Sequence, residues 1–466
     1  MNRRKFVKTA STAAAASFVL PRFSIAKTKN PSSKLNVAFV GVGGIGGMAL
    51  NGMRSENIVA LCDLDWDYSA HQMKKYPNAK KFKDYREMLD KMGKDIDAVC
   101  VSTPDHSHFK ITLDCMEAGK HVSVQKPLVH NIWQCRQLQK AAKYYPNLKT
   151  QMMNQGHATD QIRMLKEWHD SGVTGGVKEV HVLCGGPSWW QGKGTPYFVK
   201  PKVWPLTKDT PPAGFDFNLW LNQGKETFFN KVYHPLAWRS FWDYGTGMLG
   251  DWFCHTGDAP VWILDLKAPS KVELIDAKGD FDSKVFIPDT SIVKWTFPKT
   301  DKHDEVVMYW YDGKREPLTM PKDWDKEQKP TSGMMMVGKD HTIATGVRPN
   351  FEPRVCGREF FKDFRRTVNK SIPRVRNNDI YCEWIDAIKG NGPECLGSFQ
   401  YASQLTEVAL LGCLVQRFGG SIEWDDKNMK AVNRPELDSF IREPERAGWE
   451  SNRPWEKKSW WRKIFG

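Results

Sequence analysis

The 466-residue sequence has no run suited to crossing a bilayer, because its Ala-rich apolar stretch over residues 9–20 is twelve residues long and a span needs about 20. It also lacks the HExxH pattern and the paired-cysteine spacing of zinc sites, so no metal is expected. Its ten cysteines show no regular spacing, which argues against a disulfide framework. Most of them, such as Cys100 inside an apolar run, read as small buried hydrophobes. Internal repeats and low-complexity tracts are missing beyond the N-terminal segment. The formal charge of +14 is diffuse, and removing the five cations of an N-terminal segment discussed next leaves +9. A nucleic-acid or polyanion binder would gather its charge on one face, so neither partner is expected. With 40% hydrophobic and 26% charged residues the chain should fold with ordinary cores, and its length suggests two domains.

The N-terminus is the first positive signal. Asn2-Arg3-Arg4-Lys5-Phe6 resembles a twin-arginine export signature, the apolar stretch follows, and Ser24-Ile25-Ala26 offers the small residues a signal peptidase reads. Residues 1–26 are therefore expected to be a signal peptide recognised by the twin-arginine machinery, which carries folded proteins to the periplasm. Residues 27–33 form a polar linker. At the other end the run 455–466 mixes cations with tryptophan and phenylalanine, which suits either a membrane interface or a strap over the protein's own surface.

Short apolar runs at 35–40, 57–61, 96–102, 121–124 and 149–153 alternate with helical periodicity. That alternation predicts a doubly wound parallel sheet over 34–155, an α/β Rossmann domain. Later runs at 177–184, 272–275, 292–297 and 306–310 have strand composition without helix-length separation. They predict a second α+β domain, 156–430, with a large and mostly antiparallel open sheet. Helices are expected near 158–171, 359–367 and 404–418, and 431–466 is a tail. Between Gly185 and Trp238 lies a long stretch rich in Pro, Gly and Trp, longer than structureless loops usually run.

Gly41-Val42-Gly43-Gly44-Ile45-Gly46 follows the first strand and opens a helix. In that context Gly41 permits the tight turn, Gly43 lets backbone approach a pyrophosphate, and Gly46 lets helix and strand pack closely. Asp63 ends the second strand, where a carboxylate accepts hydrogen bonds from the adenosine ribose. No Arg or Lys follows within Leu64-Asp65-Trp66-Asp67, so NAD is favoured over NADP. Thr103-Pro104, with His108 beyond, closes the fourth strand at the ligand edge, and Gln125-Lys126-Pro127 closes the fifth. The residue before a proline is held extended, which aims Lys126 outward as a candidate acid or hydrogen-bond donor.

In the second domain Asp251, His255 and Asp258 fall at i, i+4 and i+7 of an expected helix and share a face. Such a stripe makes a catalytic set or a solvated outer face of the helix with equal ease. Eight of the twenty tryptophans fall between Trp189 and Trp262. Aromatic faces suit the C–H faces of sugar rings as well as they fill cores. Trp189, Trp190 and Trp238 are the candidates for sugar contact, with His157 and Arg239 for substrate hydroxyls.

Taken together, the glycine loop, Thr103-Pro104 with His108, Lys126-Pro127 and the Asp251/His255 pair resemble the glucose–fructose oxidoreductase, inositol dehydrogenase and MocA (Gfo/Idh/MocA) family, from Lys34 to about Asp425. The resemblance implies hydride transfer between a sugar or polyol carbon and nicotinamide, with Lys126, Asp251 and His255 around the reacting hydroxyl. His255 would take its proton, Lys126 would stabilise the developing alkoxide, and Asp251 would orient the histidine or hold a hydroxyl. Gln125 stands where the family usually has Glu. The resemblance also implies a homodimer or homotetramer. Export favours a tightly held NAD, because the free dinucleotide is scarce outside the cytoplasm. An ordinary dehydrogenase, a redox-neutral glycosidase working through a keto-sugar with His255 or Tyr244 as carbon base, and a non-catalytic sugar or cofactor binder all stay open.

Overall fold

The computed structural model describes residues 33–185, 199–279 and 282–456. The expected signal peptide, Trp189, Trp190 and the last ten residues lie outside that description.

The first sheet is built from β1 (Asn36–Val40), β2 (Asn57–Cys62), β3 (Lys80–Phe82), β4 (Ala98–Val101), β5 (His121–Val124) and β6 (Thr150–Met152). Its order is β3-β2-β1-β4-β5-β6 and every pairing is parallel. Intervening helices α1 (Gly46–Gly52), α2 (Ala70–Lys75), α3 (Tyr85–Met92), α4 (His108–Glu117) and α5 (Ile132–Tyr144) connect the strands. β4 reads Ala-Val-Cys-Val and is buried throughout, as a strand covered on both faces must be. Helix starts follow side-chain chemistry: Asn131 and Gln134 form a reciprocal capping box on α5, and Asp84 caps α3. Strand order reverses between β1 and β4. That switch point opens a crevice at the carboxyl ends of the strands.

The second sheet has nine strands: β7 (Val177–Cys184), β8 (Lys271–Lys278), β9 (Thr290–Phe297), β10 (Val306–Asp312), β11 (Gly333–Gly338), β12 (Ile343–Thr345), β13 (Arg354–Val355), β14 (Ser421–Asp425) and β15 (Lys430–Ala431). All its pairings are antiparallel except β7 with β10. Helices α6 (Asp160–Asp170), α7 (Phe217–Leu221), α8 (Gly247–Thr256), α9 (Asp258–Ile263), α10 (Arg358–Phe364), α11 (Ile380–Lys389), α12 (Phe399–Phe418) and α13 (Asp438–Ile441) complete the chain. Helix α12 is buried along most of its length and accepts the Trp295 indole N–H at the Val408 carbonyl, 3.1 Å away. One hydrophobic cluster runs from β4 and α5 through α12 to β9 and β10, so the two sheets share a core.

Two features differ from the contiguous two-domain expectation. Helix α11 was not foreseen, and its Tyr381, Trp384 and Ile388 pack with Leu35, Leu50 and Ala98 of the first domain. The outer face of β1 and α1 needs an apolar cover, and a segment from late in the chain supplies it. The expected polar stripe on one helix is also broken. Gly257 separates α8 from α9, so Asp258 does not continue the face of Asp251 and His255.

Candidate active site

The site begins where β1 and β4 end. Gly41 has φ +82°, and a Cβ there would lie 2.6 Å from the Ser102 carbonyl oxygen. A Cβ on Gly46 would lie 2.0 Å from the Gly41 oxygen, so the turn closes only on glycine. Asp63 Oδ2 accepts hydrogen bonds from the backbone N–H of Val42 at 2.8 Å and Gly43 at 3.0 Å, and Oδ1 from that of Asp65 at 3.0 Å. Burial raises its pKa while these donors oppose the rise. Above this loop the crevice opens into a cavity of about 920 Å³, counting its mouth. Gly41, Gly43, Gly44, Asp63, Thr103 and Pro104 form its floor, and Trp220, His234, Trp238, Arg239 and Trp449 form the facing wall. Two lining residues carry buried polar atoms without a hydrogen-bond partner among the described residues, Ser102 Oγ and Trp220 Nε1. Such atoms cost free energy unless a ligand or water meets them, and together with the glycine loop and Asp63 they fit the adenosine and diphosphate of a dinucleotide.

A second group of polar side chains meets at the ends of β5 and β6. Lys126 Nζ donates to Asp251 Oδ1 at 2.5 Å and to the Asp251 carbonyl at 3.2 Å, joining the first domain to α8. Both side chains are largely covered, at 16% and 12% exposure, which makes the pair stronger than a surface one. With two N–H bonds committed, the ammonium keeps a third for a ligand. One turn along α8, His255 sits with Nδ1 3.1 Å from Asn154 Oδ1. An amide oxygen there requires Nδ1 to carry the proton, which leaves the lone pair on Nε2. Burial, and next the nearby Lys126 and Arg348 cations, hold the His255 pKa well below its ordinary value. Trp252 stands edge-on to the His255 ring at 5.4 Å and carries the Arg348 guanidinium over its own face at 5.4 Å. The corner thus presents a neutral base, an ion-paired ammonium and a half-buried guanidinium.

Comparison with known proteins supplies the family. Residues 35–151 match the Gfo/Idh/MocA family, described as "Oxidoreductase family, NAD-binding Rossmann fold". The chain is 29% identical to the D-glucoside 3-dehydrogenase of Escherichia coli (strain K12) over 174 residues, 35% of this chain and 48% of that protein. It is 26% identical to the inositol 2-dehydrogenase of Salmonella paratyphi B over 152 residues, 32% of this chain and 45% of the relative. Residues 35–151 carry the NAD-binding Rossmann fold of the Gfo/Idh/MocA oxidoreductase family. A glycosyl hydrolase family 109 protein of Shewanella woodyi is 30% identical over 145 residues, 28% of this chain and 31% of that protein. The matches span less than half the length of these relatives. The likeness of fold extends further than the sequence match. The WlbA dehydrogenase of Bordetella pertussis, solved with NADH and UDP-GlcNAcA, superposes with TM-score 0.56 at 16% identity, covering 84% of this chain and 99% of its own.

Within this family framework the structure distributes the expected site residues unevenly. Lys126, Asp251 and His255 come together, but Asp251 orients the lysine, and the residue bonded to His255 is Asn154. Gly41, Asp63, Thr103 and Pro104 line the crevice, and Gly46 packs behind the turn against the Gly41 carbonyl. Gly43 lines the cavity as well, and the Tyr68 ring packs where its Cβ would stand. His108 is a brace behind the site: its Nε2 and Nδ1 lie 2.8 and 2.9 Å from the Thr103 and Pro127 carbonyls, tying the β4 and β5 ends together. Gln125 is buried, with its amide nitrogen 3.7 Å from Met153 Sδ, and does not line the cavity. Trp238 and Arg239 line the dinucleotide cavity, the guanidinium lying 4.1 Å over the indole, instead of standing at His255.

Two expected roles fail outright. His157 is fully buried and bonds Asp258 at 2.9 Å, with Tyr401 donating to the same carboxylate. It belongs to an interior network and cannot meet a substrate hydroxyl. Tyr244 is buried against His106 and Trp220, its hydroxyl donates to the Lys225 carbonyl, and burial drives its pKa upward. It is no carbon base. Asn154, Arg348, Tyr68 and Trp449 were missed. Of these only Asn154 carried a usable signal, since it ends a strand at the ligand edge.

Proposed function

We propose that the protein is an NAD-dependent oxidoreductase acting on a CH–OH group of a sugar, polyol or glycoside, and that it retains its dinucleotide between turnovers, the bound NADH passing its hydride to the carbonyl of a second sugar. The observation that carries the reading is the corner itself: an ion-paired Lys126 beside a neutral His255 whose Nε2 lone pair is left available, at the strand ends that form the dinucleotide crevice. Bound NAD supplies the hydride acceptor. His255 Nε2 takes the hydroxyl proton, the third N–H of Lys126 donates to the oxygen as negative charge builds, and Asp251 keeps that ammonium aimed. Arg348 adds positive potential on the same side. Asp63 supports NAD over NADP, since a 2′-phosphate would face its carboxylate in the cavity lining. The experiment is a panel of inositols, aldoses and glucosides, each offered with a second aldose as hydride acceptor and assayed for substrate consumed and for reduction of the bound dinucleotide, with His255→Ala as control. A substrate turned over by the parent and not by the variant is expected, and equal rates would overturn the assignment.

A second reading, redox-neutral cleavage of a glycoside, is favoured by the likeness to proteins named glycosyl hydrolase family 109. Oxidation of one ring carbon acidifies the neighbouring C–H, a base removes that proton, the aglycone leaves, water adds, and the hydride returns. With Tyr244 buried, His255 is the base left from the pair first considered, and it serves the C–H only after passing the hydroxyl proton on to water. Release of an aryl aglycone with solvent deuterium in the sugar and no net NADH would select this reading. The twin-arginine pattern supports a periplasmic enzyme that takes its NAD before export, and family resemblance supports a dimer or tetramer.

A further inference from the structure

The wall of the dinucleotide cavity opposite the glycine loop is not made by the Rossmann domain. Part of it comes from the segment around α7, and one residue, Trp449, comes from the C-terminal segment that follows α13. That segment is fastened on both sides of the cavity. On the Rossmann side the Arg86 guanidinium, two residues past the lining residue Asp84, lies 4.4 Å over the Trp449 ring. On the α7 side Arg446, 5.3 Å from the same ring, donates to the Asn222 carbonyl at 2.7 Å and to Asn218 Oδ1 at 2.6 Å. Buried Gln223 places its amide nitrogen 2.7 Å from the Trp449 carbonyl, 2.8 Å from Ser451 Oγ and 2.9 Å from Glu445 Oε1. Beyond the cavity Arg442 and Arg453 both stack on Trp133 at 4.8 Å, and Glu443 accepts from Asn131 at the start of α5.

We infer that the C-terminal strap is part of the dinucleotide site: Trp449 closes the adenosine end of the cavity, and the cofactor leaves only when the strap lifts from Gln223 and Arg86. The inference rests on the NAD reading above and adds to it the element that governs cofactor exchange. A second latch serves the same wall, since His234 Nε2 lies 2.9 Å from Asp65 Oδ2 and Lys83 donates to the Gly214 carbonyl. The chemistry is suited to retention. Trp449 is 4% exposed between two guanidinium groups, and lifting it would unstack both and break the hydrogen bond from the Gln223 amide to the Trp449 carbonyl.

The test loads the full chain with NADH and chases it with excess ADP-ribose while following dinucleotide fluorescence. Trp449→Ala is expected to raise the release rate by at least about tenfold, the loss expected when a buried aromatic anchor is truncated. Gln223→Ala, which loosens the strap and leaves the indole in place, should shift release in the same direction and carries the test if Trp449→Ala does not fold. Release at the parent rate from a folded Gln223→Ala or Trp449→Ala protein overturns the inference. A parent protein that takes up neither NADH nor ADP-ribose overturns the NAD reading itself, a result distinct from unchanged release.

Discussion

Asn154 holds His255 from across the domain boundary: the amide oxygen at the end of β6 lies 3.1 Å from Nδ1 of the ring on α8. Removing that acceptor leaves the imidazole free to take either tautomer. Asn154→Ala should lower kcat by about 10–100-fold with a smaller change in KM, because the base is misoriented more often than the substrate is lost. Asn154→Asp puts a carboxylate beside Nδ1, which favours the charged ring. The acid limb of the kcat profile should then move to higher pH, a shift that a purely structural role for Asn154 would not produce.

The Lys126–Asp251 pair separates activity from stability. Lys126→Met removes the oxyanion donor and strands a largely covered carboxylate. It should cut kcat/KM by about 10²–10⁴-fold and lower the unfolding free energy by about 1–3 kcal/mol. In the double variant Lys126→Met/Asp251→Asn most of the stability should return and none of the activity. Denaturant unfolding beside steady-state kinetics checks both.

Acid should destabilise the fold before carboxylates titrate. Burial lowers the His106 pKa to about 3 and that of His121 to about 4, and His255 is lowered as well. His121 Nδ1 accepts the Lys149 backbone N–H at 2.9 Å, which only a ring unprotonated at that nitrogen can do. Each such histidine binds its proton in the unfolded chain near pH 6.5 and resists it when folded. Stability is therefore fully present above about pH 6.5 and falls as pH drops from there to about 4, by up to about 1.4 kcal/mol per pH unit per histidine. His130, raised by Glu443 against its burial, works in the opposite sense. Melting temperature measured across that range should fall, and His121→Gln should flatten the slope.

Asp63 is the residue expected to set cofactor choice. The parent should prefer NAD over NADP by at least about tenfold, since a 2′-phosphate would meet the Asp63 carboxylate in the cavity lining. Asp63→Asn should narrow the ratio, read by titrating each dinucleotide against protein fluorescence.

Much of the site was legible because strand ends, glycine loops and Lys-Pro pairs leave local marks. Gly41, Asp63 and Lys126 could be placed from their neighbours in sequence alone. The second-domain partners were harder. Helical spacing put Asp251, His255 and Asp258 on one stripe, and Gly257 sent Asp258 inward to His157. Asn154 and His157 lie three residues apart on the same edge, and nothing in that tetrapeptide says which one faces the crevice. Trp238 and Arg239 follow the same logic, since their residue types suit a sugar or a dinucleotide equally. The C-terminal strap depended on contacts more than two hundred residues apart, such as Gln223 with Trp449, which no local pattern encodes.

The most direct test of retained NAD chemistry is to denature the purified protein and identify what it releases by absorbance and mass. The account predicts NAD or NADH in near-stoichiometric amount, surviving extensive dialysis of the folded protein. A protein that releases no dinucleotide, and whose folded form also fails to bind added NADH, would contradict it.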